Sequence, residues 1–247
     1  MNKKNIALVT GASTGIGEAL SRELVQRGYS VIGLARSLDK LTNMKNELGS
    51  TFIPIVCDVS SKLDIEKASQ QISKQNLCPS IFFLNAGMAG EKVIENPNAF
   101  KLEMHEKIMA VNYFGVLAFI ECWEKLCQEN GGANFIVTSS VNAIFAAPTG
   151  SAYCASKAAI SKALGSLSLT CFGTNLKFSS IYTGPVATDG LKGNWPFTWK
   201  PEKMAKYMAD FSMTGKSRGE PSLFYGVVCR LLTKLPHRWT MKILKKM

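Results

Sequence analysis

Residues 6–17 read Ile-Ala-Leu-Val-Thr-Gly-Ala-Ser-Thr-Gly-Ile-Gly. An apolar, strand-like run passes straight into a turn with three glycines, Gly11, Gly15 and Gly17, and a helical pattern follows over 15–27. A strand that is apolar on both sides of its pleat is one covered on both faces, as in a parallel sheet. Glycines let the backbone approach a pyrophosphate, and the helix N-terminus adds free N–H donors and positive dipole potential. Ser13, Thr14 and Ile16 complete that phosphate-binding turn. Its spacing is GxxxGxG, neither the GxGxxG of the usual dinucleotide fingerprint nor the GxxxxGK[ST] of a P-loop.

Outward from this turn the same alternation continues. Strands are expected at 6–10, 30–35, 52–57, 81–84, 134–139 and 177–182, and helices near 15–27, 38–48, 62–75, 101–129 and 152–173. Gly28 and Gly49 stand where helices take a left-handed C-terminal cap. Strands alternating with helices imply right-handed parallel crossovers. The expected fold is therefore α/β, a Rossmann-like doubly wound parallel sheet of six to seven strands with helices on both faces. No repeat or linker divides it, so one domain is expected over 1–247. Past 183 the pattern loosens into a loop rich in aromatics, then helices starting at Pro201 and over 223–235.

Composition closes other doors. The chain has 247 residues, 46% apolar and 19% charged, with a net charge of +11. Seven Lys/Arg against one acid, Glu220, fall in residues 218–247, so the basicity belongs mainly to the tail. That is no protein-wide nucleic-acid signature. The seven cysteines are never spaced CxxC, which favours reduced, mostly buried thiols and no metal site. No run of apolar residues is long enough to span a bilayer, and the first is too short for a signal peptide. A cytoplasmic location is the expectation.

The end of the second strand reads Gly33-Leu34-Ala35-Arg36-Ser37. An NAD site places a carboxylate there for the ribose 2′-hydroxyl. Here Arg36 can clamp a 2′-phosphate with Ser37 and Ser13, or it simply opens a helix in solvent. NADP(H) is the expected cofactor. Tyr153 and Lys157 share one helical face, and an ammonium favours the phenolate of a tyrosine that must exchange a proton. Ser140, at a strand end 13 residues before Tyr153, has a hydroxyl that can polarise a carbonyl.

Together TGASTGIG, Asp58, Asn85-Ala86-Gly87, Asn112, Ser140 and Tyr153-Cys154-Ala155-Ser156-Lys157 resemble the short-chain dehydrogenase/reductase family, in order and spacing over about residues 5–190. The resemblance implies a seven-stranded sheet and a tetrad of Asn112, Ser140, Tyr153 and Lys157. In it Tyr153 exchanges the proton and Lys157 holds the nicotinamide ribose and lowers the tyrosine pKa. Ser140 orients the carbonyl, and Asn112 carries a water between Lys157 and solvent. It further implies that Asp58 and Val59 meet adenine and that Asn85, Ala86 and Gly87 line the cofactor. Pro185, Val186 and Thr188 fall at positions for the nicotinamide carboxamide. Two departures stand out. Thr183 replaces a usual proline, and the last strand, near 218–224, lacks its usual glycine pair. Family habit suggests a homodimer through the helices near 101–129 and 152–173.

Trp195, Phe197 and Trp199 fall in a segment, 188–217, that resembles the family's substrate lid. They either form an apolar pocket with Phe145 or anchor the loop. The tail 236–247 places Trp239, Ile243 and Met247 four apart among basic residues, a pattern of membrane-surface helices and also of helices packed on their own domain. The expected activity is NADPH-dependent reduction of an apolar ketone or aldehyde, reversibly alcohol oxidation. Alternatives are a membrane-associated reductase of a lipid-type ketone (3-ketoacyl or sphingoid) and a non-catalytic NADP(H)-binding regulator.

Overall fold

Strand β1, Ile6–Thr10, lies third in a parallel sheet ordered β3-β2-β1-β4-β5-β6-β7. The others are β2 Ser30–Ala35, β3 Phe52–Val56, β4 Ile81–Leu84, β5 Ala133–Ser140, β6 Leu176–Thr183 and β7 Arg218–Gly219. This computed structural model describes residues 5–89, 101–147, 150–191 and 195–244. All six strands expected from the sequence are present. The seventh is only two residues long, paired as Ser180 with Arg218 and Ile181 with Gly219.

The alternation within β1 explains the two cores. Ala7 and Val9 point to one face, where α1 (Gly15–Gln26), α2 (Leu38–Leu48) and α7 (Pro201–Ser212) bring Leu20, Leu24, Leu41, Met204 and Met208. Leu8 points to the other, against α3 (Lys62–Lys74), α5 (Gly115–Glu129) and α6 (Ser151–Thr170). On that side Phe82, Phe135 and Phe178 are register neighbours across three strands. Their rings stack at 4.6 and 5.3 Å, and Trp123 of α5 closes the row at 5.5 Å. Direct neighbours on one sheet face meet in this way because their side chains stand roughly parallel.

The helical stretch expected over 101–129 is helical throughout but not uniform. Helix α4, Leu102–Met109, passes through a wider π-type turn, Ala110–Phe114, before α5 begins. Gly115 lies against the Val59 carbonyl oxygen, 2.1 Å from where a Cβ would stand. Asn112 sits in the wide turn, fully buried, and such turns recur at functional sites. Beyond α7 come α8, Leu223–Leu232, and α9, His237–Leu244. Of the tail pattern, Lys245, Lys246 and Met247 lie outside the described residues, as do Lys192–Asn194 of the expected lid. Among the described residues no helix is long and apolar enough to cross a membrane, and no cluster of His, Cys, Asp or Glu could hold a metal. None of the seven cysteines forms a disulfide.

Candidate active site

Strand order reverses between β1 and β4, and the crevice outside the carboxyl ends of such strands is where open α/β sheets bind ligands. The glycine turn leaves β1 at this point. The Ala12 N–H donates to the Leu34 carbonyl at 3.1 Å, holding the turn to β2. Gly11 abuts Ala86, whose N–H donates to the Thr10 hydroxyl at 3.0 Å. Asn85 pins three strand ends: its amide donates to the Thr10 carbonyl at 3.3 Å, and its oxygen accepts from the Thr138 hydroxyl at 3.0 Å.

Two glycines here cannot be replaced cheaply. Gly15 holds φ at +57°, and a Cβ on it would come within 2.9 Å of Thr188 Cγ2. A Cβ on Gly17 would stand 2.1 Å from the Gly11 carbonyl oxygen. Thr14 occupies the N-cap of α1 with an extended backbone and no side-chain cap bond, and Ile16 packs on the core. Ser13 is half-buried and Thr14 exposed.

Arg36 is exposed at the end of β2, and its charge reaches Asp58 at the end of β3. Burial pushes the Asp58 carboxyl up. The Ser60 N–H and hydroxyl, at 2.9 and 2.7 Å, together with Arg36 outweigh that and hold it below the usual range. Val59 is half-buried, its carbonyl facing Gly115. Ser37 caps α2 by accepting from the Lys40 N–H at 3.4 Å.

The candidate reacting centre lies where β5 ends beside α6. Of the two adjacent serines, Ser139 is fully buried, its hydroxyl 2.6 Å from that of Ser161. Ser140 instead accepts from the Asn142 N–H at 3.1 Å and its hydroxyl meets the Tyr153 phenol. Burial raises the Tyr153 pKa, and the Ser140 hydroxyl pulls part of the way back. Lys157 stands one helical turn on, its Nζ 5.7 Å from the Tyr153 ring centre and 2.7 Å from the Thr138 carbonyl oxygen. It is 4% exposed, and burial lowers its ammonium to about 8. Burial outweighs the Ser140 hydroxyl at Tyr153 and leaves the phenol above its ordinary value. A protonated phenol is the form a proton donor requires.

Asn112 approaches the same spot from the wide turn. Its oxygen accepts from the Met88 N–H at 2.8 Å, and its amide donates to the Met88 carbonyl at 2.9 Å and the Ser156 hydroxyl at 3.0 Å. With both amide protons used, the side chain braces the loop after β4. A Cβ on Gly87 would be 3.4 Å from both Asn112 Oδ1 and Lys157 Nζ, so backbone, amide and ammonium converge there. Thr183, in place of the usual proline, donates its hydroxyl to the Ser139 carbonyl at 3.0 Å and ties β6 to β5.

Beyond β6, Pro185 to Thr188 forms a short ladder with Trp199: the Trp199 N–H donates to the Pro185 carbonyl at 3.0 Å, and the Ala187 N–H to the Trp199 carbonyl at 2.8 Å. Val186 is buried and Thr188 lies over Gly15. Trp199 packs edge-on to Tyr207 at 6.2 Å with Lys203 Nζ 4.2 Å above its ring. That ring anchors the loop. Trp195 and Phe197 are exposed, and the Tyr225 hydroxyl donates to the Pro196 carbonyl between them. Phe145 is buried with Val141, Tyr225 and Cys229. Thr138, Met88 and Tyr225 escaped the sequence reading. Only the run Thr138-Ser139-Ser140, polar at the end of an apolar strand, hinted at the first.

The family model described as short chain dehydrogenase matches residues 5–197. An uncharacterized oxidoreductase of Mycobacterium bovis is 27% identical over 192 residues, 75% of this chain and 56% of that protein. This chain thus spans little more than half of that relative's length. An NADPH-dependent pterin aldehyde reductase of Arabidopsis thaliana is 32% identical over 157 residues, 62% of this chain and 63% of the relative. Among solved structures, a short chain dehydrogenase from Burkholderia cenocepacia in complex with NADP superposes with a TM-score of 0.82 at 21% identity. It covers 98% of this chain and 97% of its own, and at that identity it speaks for the fold.

Proposed function

Because this chain belongs to the short-chain dehydrogenase family, we propose that it is an NADP(H)-dependent reductase of an apolar ketone or aldehyde. The observation that carries the reading is the convergence of Ser140, Tyr153 and Lys157 beside the glycine turn. A dinucleotide fits the residues present. The turn is so tight that a Cβ at Gly17 would meet the Gly11 carbonyl, and it leaves β1 where strand order reverses between β1 and β4. Arg36, with no acid at the β2 end, supports a 2′-phosphate, and Asp58 and Val59 flank the adenine side. The pterin aldehyde reductase, named for its NADPH dependence, supports the same choice.

When bound, the cofactor supplies the hydride. Ser140 holds the substrate carbonyl oxygen by its hydroxyl, and Tyr153 delivers the phenolic proton to that oxygen. Lys157 holds the ribose hydroxyls and offsets the phenolate left behind. Asn112 fixes the loop carrying Gly87 and Met88, which keeps Lys157 in place. Pro185, Val186 and Thr188 hold the nicotinamide side. The apolar substrate is read from Trp195 and Phe197 on the lid, with Trp199 as its anchor. Exposed Phe114 and Leu169 on the 101–129 and 152–173 stretches support a homodimer through them.

The test is loss of NADPH absorbance over a panel of apolar ketones and aldehydes, run beside NADH. Arg36→Ala should raise the Kd for NADPH by roughly 10- to 100-fold, the worth of a charge-assisted contact, and leave NADH nearly unchanged. Equal effects on both would remove Arg36 from the phosphate. Ser37→Ala should cost α2 about 1 kcal/mol, seen as a Tm drop of a few degrees, with NADPH affinity within a few-fold. A tenfold loss of affinity would make its phosphate contact outweigh its cap.

A further inference from the structure

Helix α8 buries Tyr225, Gly226, Cys229 and Leu232 and turns its other face outward. Leu223, Val227 and Leu231, four apart and so in one row, are 76%, 53% and 58% exposed. Phe224 extends the row to the 188–217 segment, its ring 5.0 Å from the exposed Phe197. After Pro236, α9 holds to α8 through buried Thr240, whose hydroxyl donates to the Leu232 carbonyl at 3.5 Å, and it leaves Trp239 and Ile243 in solvent. Large apolar side chains exposed in a continuous row mark a contact surface.

Charge says what covers it. From Pro221 to Met247 there is no Asp or Glu, while Arg230, Lys234, Arg238, Lys242, Lys245 and Lys246 are cations. Glu220 pairs with Arg230; Lys234, Arg238 and Lys242 are exposed among the apolar residues. A second copy docked about a twofold axis would set these cations against their own kind. The matching surface must be apolar within and anionic at its rim. We propose that α8 and α9 dock this end of the molecule on an anionic lipid bilayer. The apolar row enters the headgroup boundary, the cations meet lipid phosphates, and the Phe197 contact brings the 188–217 segment to the lipid surface.

This assignment goes beyond the proposed reaction and does not depend on it. The test is flotation of the full chain with phosphatidylcholine vesicles, with and without phosphatidylserine. Protein should float with phosphatidylserine vesicles only, and less in high salt. The Val227→Asp/Leu231→Asp pair should lose that binding, and the Lys234→Gln/Arg238→Gln/Lys242→Gln triple should weaken it on the order of 100-fold, about fivefold per cation. Both variants should keep the wild-type NADPH oxidation rate in vesicle-free buffer. Failure of the wild type to float, or equal flotation of wild type and both variants, overturns the assignment. So does a change from dimer to monomer in the apolar variant with vesicle binding intact, which would give the face to a second copy. A chain that floats as expected but oxidises no NADPH leaves this docking standing and removes only the reductase.

Discussion

Tyr153→Phe is expected to reduce ketone turnover by roughly 100- to 10,000-fold, the span a positioned general acid contributes. NADPH binding should stay within a few-fold of wild type. The substitution removes one oxygen from a partly buried ring and leaves the helix, the Lys157 contact with Thr138 and the glycine turn untouched. Among the described residues, the polar contact it loses is that with the Ser140 hydroxyl. Fluorescence titration with NADPH separates binding from chemistry, and steady-state assay reads kcat. A variant that retains a tenth of wild-type kcat would remove Tyr153 from the proton transfer. The raised Tyr153 pKa adds a pH expectation. With burial holding the phenol protonated above its ordinary range, the acid form persists through neutral pH, and loss of reduction with rising pH begins at another group.

How much of this was readable from the sequence depends on the range of the interaction. The first four strands were legible as near-continuous apolar runs, which a sheet covered on both faces demands, while β5 and β6, with Thr138 to Ser140 and Lys177, Ser179 and Ser180, showed mainly through the turn residues that bound them. The two-residue β7 was barely legible, since pairing with Ser180 and Ile181, not its own composition, makes Arg218–Gly219 a strand. Ser140 and Ser139 are adjacent in sequence, and spacing to Tyr153 pointed to one. The physical difference between them, a Ser161 hydroxyl across from Ser139, is a contact between distant residues. The Asn112 clamp on Met88 was hidden for the same reason, because it depends on a wide helical turn whose register no local pattern records. Trp199 looked like Trp195 and Phe197 in the sequence. Its role as anchor follows from Tyr207 and Lys203, which approach from α7.

The group that begins to lose its proton first is Lys157, and replacing it should separate stability from function. Lys157→Met is expected to abolish turnover and yet make the fold more stable at pH 7. The buried ammonium titrates near 8 rather than at its ordinary 10.5, a lowering whose whole cause is burial. At 1.36 kcal/mol for each unit, holding that charge costs the folded state about 3 kcal/mol below pH 8. Methionine removes the charge and keeps much of the volume, but it forfeits the bond from the ammonium to the Thr138 carbonyl, a charged-group bond worth about 2 kcal/mol. The net gain is about 1 kcal/mol, a Tm rise of roughly 2 to 4 °C for a chain of this size. The sign with pH follows from the same shift. Between about 8 and 10.5 the unfolded chain binds more protons at this residue than the folded one, so wild-type stability recovers as pH rises through that window. The advantage of the methionine variant should therefore shrink between pH 7 and pH 10, while wild-type reduction falls as pH passes about 8. Thermal melts of both proteins at the two pH values read the first, and a pH–rate profile the second. A methionine variant less stable than wild type at pH 7 would show that the Thr138 bond outweighs desolvation. The cost of this lysine would then not be the reason its charge is available to the site.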